Sequence, residues 1–136
     1  MDASLLDTDL LSELLKERNP SVTTKAAAYL AQHGHFTFSE FSRFEVRRGY
    51  LEMKGMETLT EFESFCTNSL VLPVTTAIFD RAAILWAEAR AGGHPCGDAD
   101  LVIAATALEH DLVLVTGNTR HFEWVPGLRI ENWRTP

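Results

Sequence analysis

Asp7, Glu45 and Asp100 are carboxylates on three separate stretches of the chain, and carboxylates that converge on one crevice suit a hard divalent cation. Magnesium and manganese prefer carboxylate and water oxygens and keep several waters. Such a water is acidified into a nucleophile while the cation offsets charge building on a phosphate. Asp7 directly follows Leu5-Leu6, at the carboxyl end of an expected strand. Its competing reading is a helix cap, a task for which Thr8 and Asp9 are better placed. Glu45 stands one helical turn after Phe41, beside an apolar stripe. A carboxylate there needs a partner, either Arg48 three residues on or a metal.

Asp98 and Asp100 open an apolar helix, where acids are ordinary through capping and the helix dipole. One acid suffices for that, and Asp100 shares a face with Ala104 and Ala107, small residues that pack closely on a sheet and carry the carboxylate inward. Thr116-Gly117-Asn118 follows another expected strand and reaches the same crevice; as a plain turn the triplet is equally ordinary. Gly49, one turn after Glu45, weakens its helix, which a close approach of substrate or neighbouring backbone would justify.

Other chemistries lack their residues. The five histidines include no i,i+4 pair, and His94 with Cys96 supplies two ligands at most, too few for soft-ligand zinc. Cys66 and Cys96 show no Cys-x-x-Cys spacing and are expected as two reduced thiols. A Gly-x-Ser-x-Gly elbow, a phosphate-binding glycine loop and a dinucleotide fingerprint are all missing.

The elements that must position these residues alternate between short β-type runs and 3.6-period segments, the pattern of an α/β domain around a parallel sheet. Strands are expected at Ser4 to Asp7, His35 to Ser39, Leu70 to Pro73, Leu112 to Thr116 and, at an edge, Leu128 to Ile130. Helices are expected at Leu10 to Arg18, Thr23 to Gln32, Glu40 to Lys54, Glu57 to Cys66, Thr75 to Ala91 and Asp98 to His110. The fifth presents Ile78, Ala82, Leu85, Trp86 and Ala89 on one face. The sixth is apolar nearly all round and must be buried. In open sheets of this kind ligands bind beyond the carboxyl ends of the strands.

At 136 residues, 46% hydrophobic and 23% charged, one ordinary globular domain is expected. Twelve basic against nineteen acidic side chains leave a net charge of −7, which argues against holding nucleic acid by bulk attraction. Residues 16 to 54 are the exception, with seven basic side chains against four acidic ones. Arg43, Arg47 and Arg48 stand around Glu45 there, placed to position phosphates without reading sequence. The N-terminal stretch lacks the basic and apolar regions of a secretory signal, and no run is long and apolar enough for a membrane span. A cytoplasmic protein with no membrane role is expected.

Four segments occur in order: Leu5-Leu6-Asp7-Thr8-Asp9, Phe44-Glu45-Val46-Arg47-Arg48-Gly49, Gly97-Asp98-Ala99-Asp100-Leu101-Val102-Ile103-Ala104-Ala105, and Leu114-Val115-Thr116-Gly117-Asn118-Thr119-Arg120-His121-Phe122. Together they resemble the signature of PIN-domain ribonucleases, and more narrowly VapC-type toxins of bacterial toxin–antitoxin pairs. The resemblance runs through Val125-Pro126-Gly127-Leu128. It implies a single PIN domain over residues 1 to 136, with a central, mostly parallel sheet of four to five strands flanked by helices. It also implies a Mg2+- or Mn2+-dependent endoribonuclease, a homodimer, and silencing by a cognate antitoxin protein.

Residue by residue, Asp7, Glu45 and Asp100 match the family's acids. Asn118 stands where many members carry a fourth acid, which makes Asp98 a candidate compensating ligand. Thr8 and Thr116 would orient ligands or water, and Arg43, Arg47 and Arg48 would meet RNA. The implied reaction is in-line hydrolysis of an RNA phosphodiester, leaving a 3′-hydroxyl and a 5′-phosphate. Two other classes stay open at this stage: a PIN-like binding subunit of a DNA-bound regulatory complex with weak or no nuclease activity, and a metal-dependent nuclease or phosphatase outside toxin systems.

Overall fold

A computed structural model describes residues 1–53 and 55–136; Lys54, counted above among the basic residues and as the end of the third helix, lies outside the described residues. Five strands form one sheet: β1 (Ser4–Leu6), β2 (Thr37–Ser39), β3 (Leu70–Leu72), β4 (Val113–Val115) and β5 (Ile130–Glu131). Their order is β3-β2-β1-β4-β5 and every pairing is parallel. Leu6 pairs with Phe38 on one side and Val115 on the other, so β1 is the centre and β4 its neighbour.

Each central strand is apolar on both faces because successive side chains alternate between two cores. Leu5 and Leu114 join Ile78, Leu85, Leu101 and Ile103 on one face. Leu6 and Val115 join Leu10, Leu11, Val22, Phe38, Phe62 and Trp133 on the other. The first two connections lead to strands on one side of β1, and the third returns to the other side. The reversal between β1 and β4 opens a crevice at their carboxyl ends, the usual ligand position in such sheets.

Six helices cover the sheet: α1 (Thr8–Lys16), α2 (Pro20–His33), α3 (Glu40–Glu52), α4 (Met56–Thr67), α5 (Thr76–Gly92) and α6 (Asp98–Glu109). Several ends differ from expectation. Asp7, not Thr8 or Asp9, caps α1, accepting the Leu10 N–H at 2.8 Å. That helix stops at Glu17 in a left-handed conformation (φ 53°), before Asn19-Pro20. Asn19 instead caps α2 through the Ser21 and Val22 amides, and Pro20 sits at the first turn, where its missing N–H costs nothing. On α5, Ile78, Ala82, Leu85 and Ala89 are buried, but Trp86 is 47% exposed and carries Arg90 over its ring. Leu101 through Ala107 of α6 are all buried, as an all-round apolar helix requires. Among the described residues, no helix is long and apolar enough to cross a membrane.

Candidate active site

Asp7 leaves the end of β1 buried, with one oxygen on the Leu10 amide and the other taking the Thr116 hydroxyl. Thr116 follows β4 directly, and the Asp7 amide donates to the Val115 carbonyl at 3.0 Å, so the sheet register itself brings the two side chains together. Burial, reinforced by the charges of Asp9 and Asp100, pushes the Asp7 carboxyl up to about 6, against the pull of its two donors. Asp100 is also raised, by burial first, with His121 lowering it and Asp9 raising it.

Glu45 comes from α3. The Thr8 hydroxyl lies 2.7 Å from Glu45 Oε1 and 2.8 Å from the buried Ser42 hydroxyl, which ties the start of α1 to α3. Arg48 reaches the other Glu45 oxygen at 3.5 Å and lies over the Phe44 ring. Of the two partners expected for Glu45, the structure shows the arginine, and Glu45 also lines the crevice. Asp7, Thr8, Asp9, Glu45, Ala99, Asp100 and Ile103 line one cavity of about 200 Å³, and no lysine or arginine lines it.

This donor set is all hard oxygen and fits a divalent cation such as magnesium or manganese. The set is open rather than closed: among the described residues, no three His, Cys, Asp or Glu side chains are drawn into a metal-binding cluster. Both oxygens of Asp7 and of Glu45 are met by protein groups.

Other expected site residues fall elsewhere. Asp98 is exposed and lines a different cavity, with Phe79, Ala82, Trp86 and Leu101. It makes no cap hydrogen bond either, since Gly97 is the cap residue of α6. Two residues, about 200° of helical rotation, separate it from Asp100, so it faces away from the carboxylate pocket. Asn118 stays at the rim: its amide donates to Asp9 Oδ2 at 2.7 Å, and its backbone N–H donates to the Thr116 hydroxyl. Arg43 and Arg47 are not free to hold phosphates. Glu63 of α4 takes Arg43 at 2.8 Å and Arg47 at 2.6 Å, and Glu40 takes Arg43 at 3.0 Å. Arg48, 60% exposed, is the one of the three beside the pocket. Gly49 has open space where a side chain would project, so no neighbouring backbone explains it. Cys66 and Cys96 are free, and burial pushes both thiols up to about 11.

Sequence reasoning missed three residues. Asp9, weighed only as a cap, is a wall of the pocket. Ser42 was legible in principle, one helical turn before Glu45. His121, whose Nδ1 stands 3.3 Å from Asp100 Oδ2, left no local signal because its partner is 21 positions away.

The PIN domain family model matches residues 4–128. A tRNA(fMet)-specific endonuclease VapC of Shigella flexneri is 31% identical over 130 residues, covering 95% of this chain and 96% of that protein. Ribonuclease VapC2 of Haemophilus influenzae is 27% identical over the same share of each. Among solved structures, DNA-bound VapBC from Salmonella typhimurium superposes with a TM-score of 0.85 at 28% identity, covering 98% of this chain and 99% of that one. VapBC2 of Rickettsia felis, bound to a promoter DNA fragment, shares the fold with a TM-score of 0.84 at 23% identity, covering 96% and 98%. With its four acids on one pocket at the sheet's switch point, the chain belongs to the PIN-domain family, among its VapC ribonucleases.

Proposed function

We propose that this chain is an endoribonuclease toxin that hydrolyses RNA phosphodiester bonds in a Mg2+- or Mn2+-dependent reaction and is neutralised by a cognate antitoxin. The observation that carries the reading is the cavity walled by Asp7, Asp9, Glu45 and Asp100, with no cation of the protein lining it. RNA cleavage and an antitoxin partner are supported by the VapC ribonucleases and VapBC complexes to which the chain is similar.

Asp7, Glu45 and Asp100 would hold the cation. When bound, it would supply positive charge that activates water and offsets charge on the phosphate. The chain's own residues do the positioning. Thr116 fixes one oxygen of Asp7 and the Leu10 amide the other, which sets the carboxylate at the end of β1 against the pocket. Thr8, braced by Ser42, holds Glu45 against the start of α1. Arg48, at the exposed edge, draws an anionic strand toward the pocket without reading bases. A homodimer and a cytoplasmic location belong to the same reading.

DNA binding by a toxin–antitoxin pair is compatible with it, since relatives have been solved as DNA-bound VapBC. The test is to induce the chain in cells with and without the adjacent reading frame and map RNA 5′ ends. New 5′-phosphate ends that vanish on co-expression are the expected result. Unchanged 5′ ends, or ends that persist with the partner present, would contradict it.

A further inference from the structure

Asp9 is a shared wall between two adjoining pockets. On one side lies the carboxylate pocket already described. On the other is a cavity of about 450 Å³ lined by Asp9, Ser12, Glu13, Lys16, Arg18 and Arg134. Its electrostatics are opposite in kind. Both of its acids are engaged, Glu13 by the Arg134 guanidinium and Asp9 by the Asn118 amide. Lys16 and Arg18, at and just past the end of α1, are exposed. Among the described residues neither forms an ion pair.

Arg134 reaches the active-site loop. Its guanidinium lies against Gly117, where any side chain would collide with it, and its backbone N–H donates to Asn132 Oδ1 at 2.9 Å. Gly117 sits between Thr116, the partner of Asp7, and Asn118, the partner of Asp9. The second pocket therefore adjoins the first through Asp9 and the loop that meets both. This matters for a polyanionic substrate, because a pocket of four acids repels the strand that must enter it. Of the arginines expected to compensate, Arg43 and Arg47 are consumed by Glu63.

We propose that the pocket of Lys16 and Arg18, walled by the Glu13–Arg134 pair, is a second RNA subsite, the two unpaired cations holding a backbone phosphate neighbouring the one at Asp7, Glu45 and Asp100. The inference rests on the RNA-cleaving reading and adds where the strand runs: across Asp9, toward the end of α1. Contacts to phosphate give position and affinity but no base preference, and they make binding salt-dependent.

The test compares wild type, the Lys16→Ala/Arg18→Ala double variant and an Arg90→Ala control on one single-stranded RNA oligonucleotide. Cleavage is followed in Mn2+, and binding in EDTA across a salt series. The double variant should raise KM about tenfold with kcat within about twofold, and should flatten the slope of log K against log salt by about 0.7, the share of one phosphate on a single strand. Arg90→Ala should change neither. A double variant indistinguishable from Arg90→Ala, with cleavage intact, overturns the subsite and leaves the proposed function standing. Salt-dependent binding that needs Lys16 and Arg18 in a protein that cleaves no RNA overturns the proposed function and leaves the subsite. Unchanged RNA binding with weakened binding of the adjacent frame's product overturns the subsite in favour of a protein contact, and a wild type that neither binds nor cleaves RNA overturns both.

Discussion

Helix α3 borders two acidic sites that end in opposite electrostatic states. On the side facing α4, Glu63 is gripped by Arg43 and Arg47, and hydrogen bonds from Arg43 first of all hold its carboxyl below the usual range. On the side facing α1, Glu45 joins Asp7, Asp9 and Asp100, where burial pushes Asp7 up to about 6. The residue types are alike; the difference is how far the protein compensates them, with two arginines on the single Glu63 but, among the described residues, only the exposed Arg48, at 3.5 Å from Glu45, as a permanent cation beside the four acids of the pocket. A compensated cluster is a structural joint. An undercompensated one stores unfavourable charge that an incoming cation relieves, which is why the second cluster, and not the first, reads as the site of chemistry.

The largest break in this comparison should come from neutralising the second cluster. Asp7→Asn should reduce RNA cleavage on the order of 10³-fold, the scale of losing a main electrostatic contributor. It should also leave the fold as stable or more so, because a crowded, buried charge is gone; urea unfolding beside the cleavage assay checks both. Asp100→Asn should behave likewise with a smaller gain in stability, being less buried. An Asp7→Asn protein that unfolds more readily at pH 7 would show that Asp7 acts as a joint, like Glu63.

The pH dependence separates the clusters by sign. Asp7 titrates near 6 in the fold against an ordinary 3.8, so the folded chain holds an extra proton between those values. Its contribution, up to about 3 kcal/mol, is complete below pH 3.8 and lost as pH rises through 6. Glu63 runs the other way: its stabilisation is present above its ordinary value and lost as pH falls through its lowered one. Stability of Asp7→Asn relative to wild type should therefore increase from pH 4 to pH 7, whereas the deficit of Glu63→Gln should grow only up to the ordinary value of 4.5 and stay constant above it. Glu63→Gln should cost only about 1 kcal/mol, since its ion pairs are partly exposed, and should leave cleavage within about threefold of wild type.

Asn118→Asp should have the smallest effect. It replaces the amide that holds Asp9 with a second carboxylate, costing a few tenths of a kcal/mol without metal, on the order of a like-charge surface pair. Manganese affinity should rise, because a hard anionic ligand is added at the rim. Calorimetric titration checks it, and unchanged affinity would remove Asn118 from the metal's surroundings.

How much of this was legible in the sequence depends on the range of the interaction. Leu5-Leu6 and Leu112 to Thr116 announce buried parallel strands, because a strand covered on both faces must be apolar without alternation. The three acids Asp7, Glu45 and Asp100 follow from those strands and helices, and the structure brings all three to one cavity. For Asp7, cap and site were competing readings. The side chain does both, since Oδ1 takes the Leu10 amide while Oδ2 takes Thr116. Pairings across the chain were not legible. Arg43 meets Glu63 only because α3 packs on α4, and Arg134 meets Glu13 across 121 positions. Trp86 was placed on the buried face of α5 by periodicity, but the apolar stripe is narrower than the sequence suggests and leaves it outside.

The most direct test of the central claim is a Mn2+ titration by calorimetry of wild type and Asp7→Asn at pH 7, read beside cleavage of the same RNA. Saturable binding that supports cleavage in wild type, with both lost in Asp7→Asn and the variant still folded, is the predicted result. Equal Mn2+ binding and equal cleavage by the two proteins would contradict it.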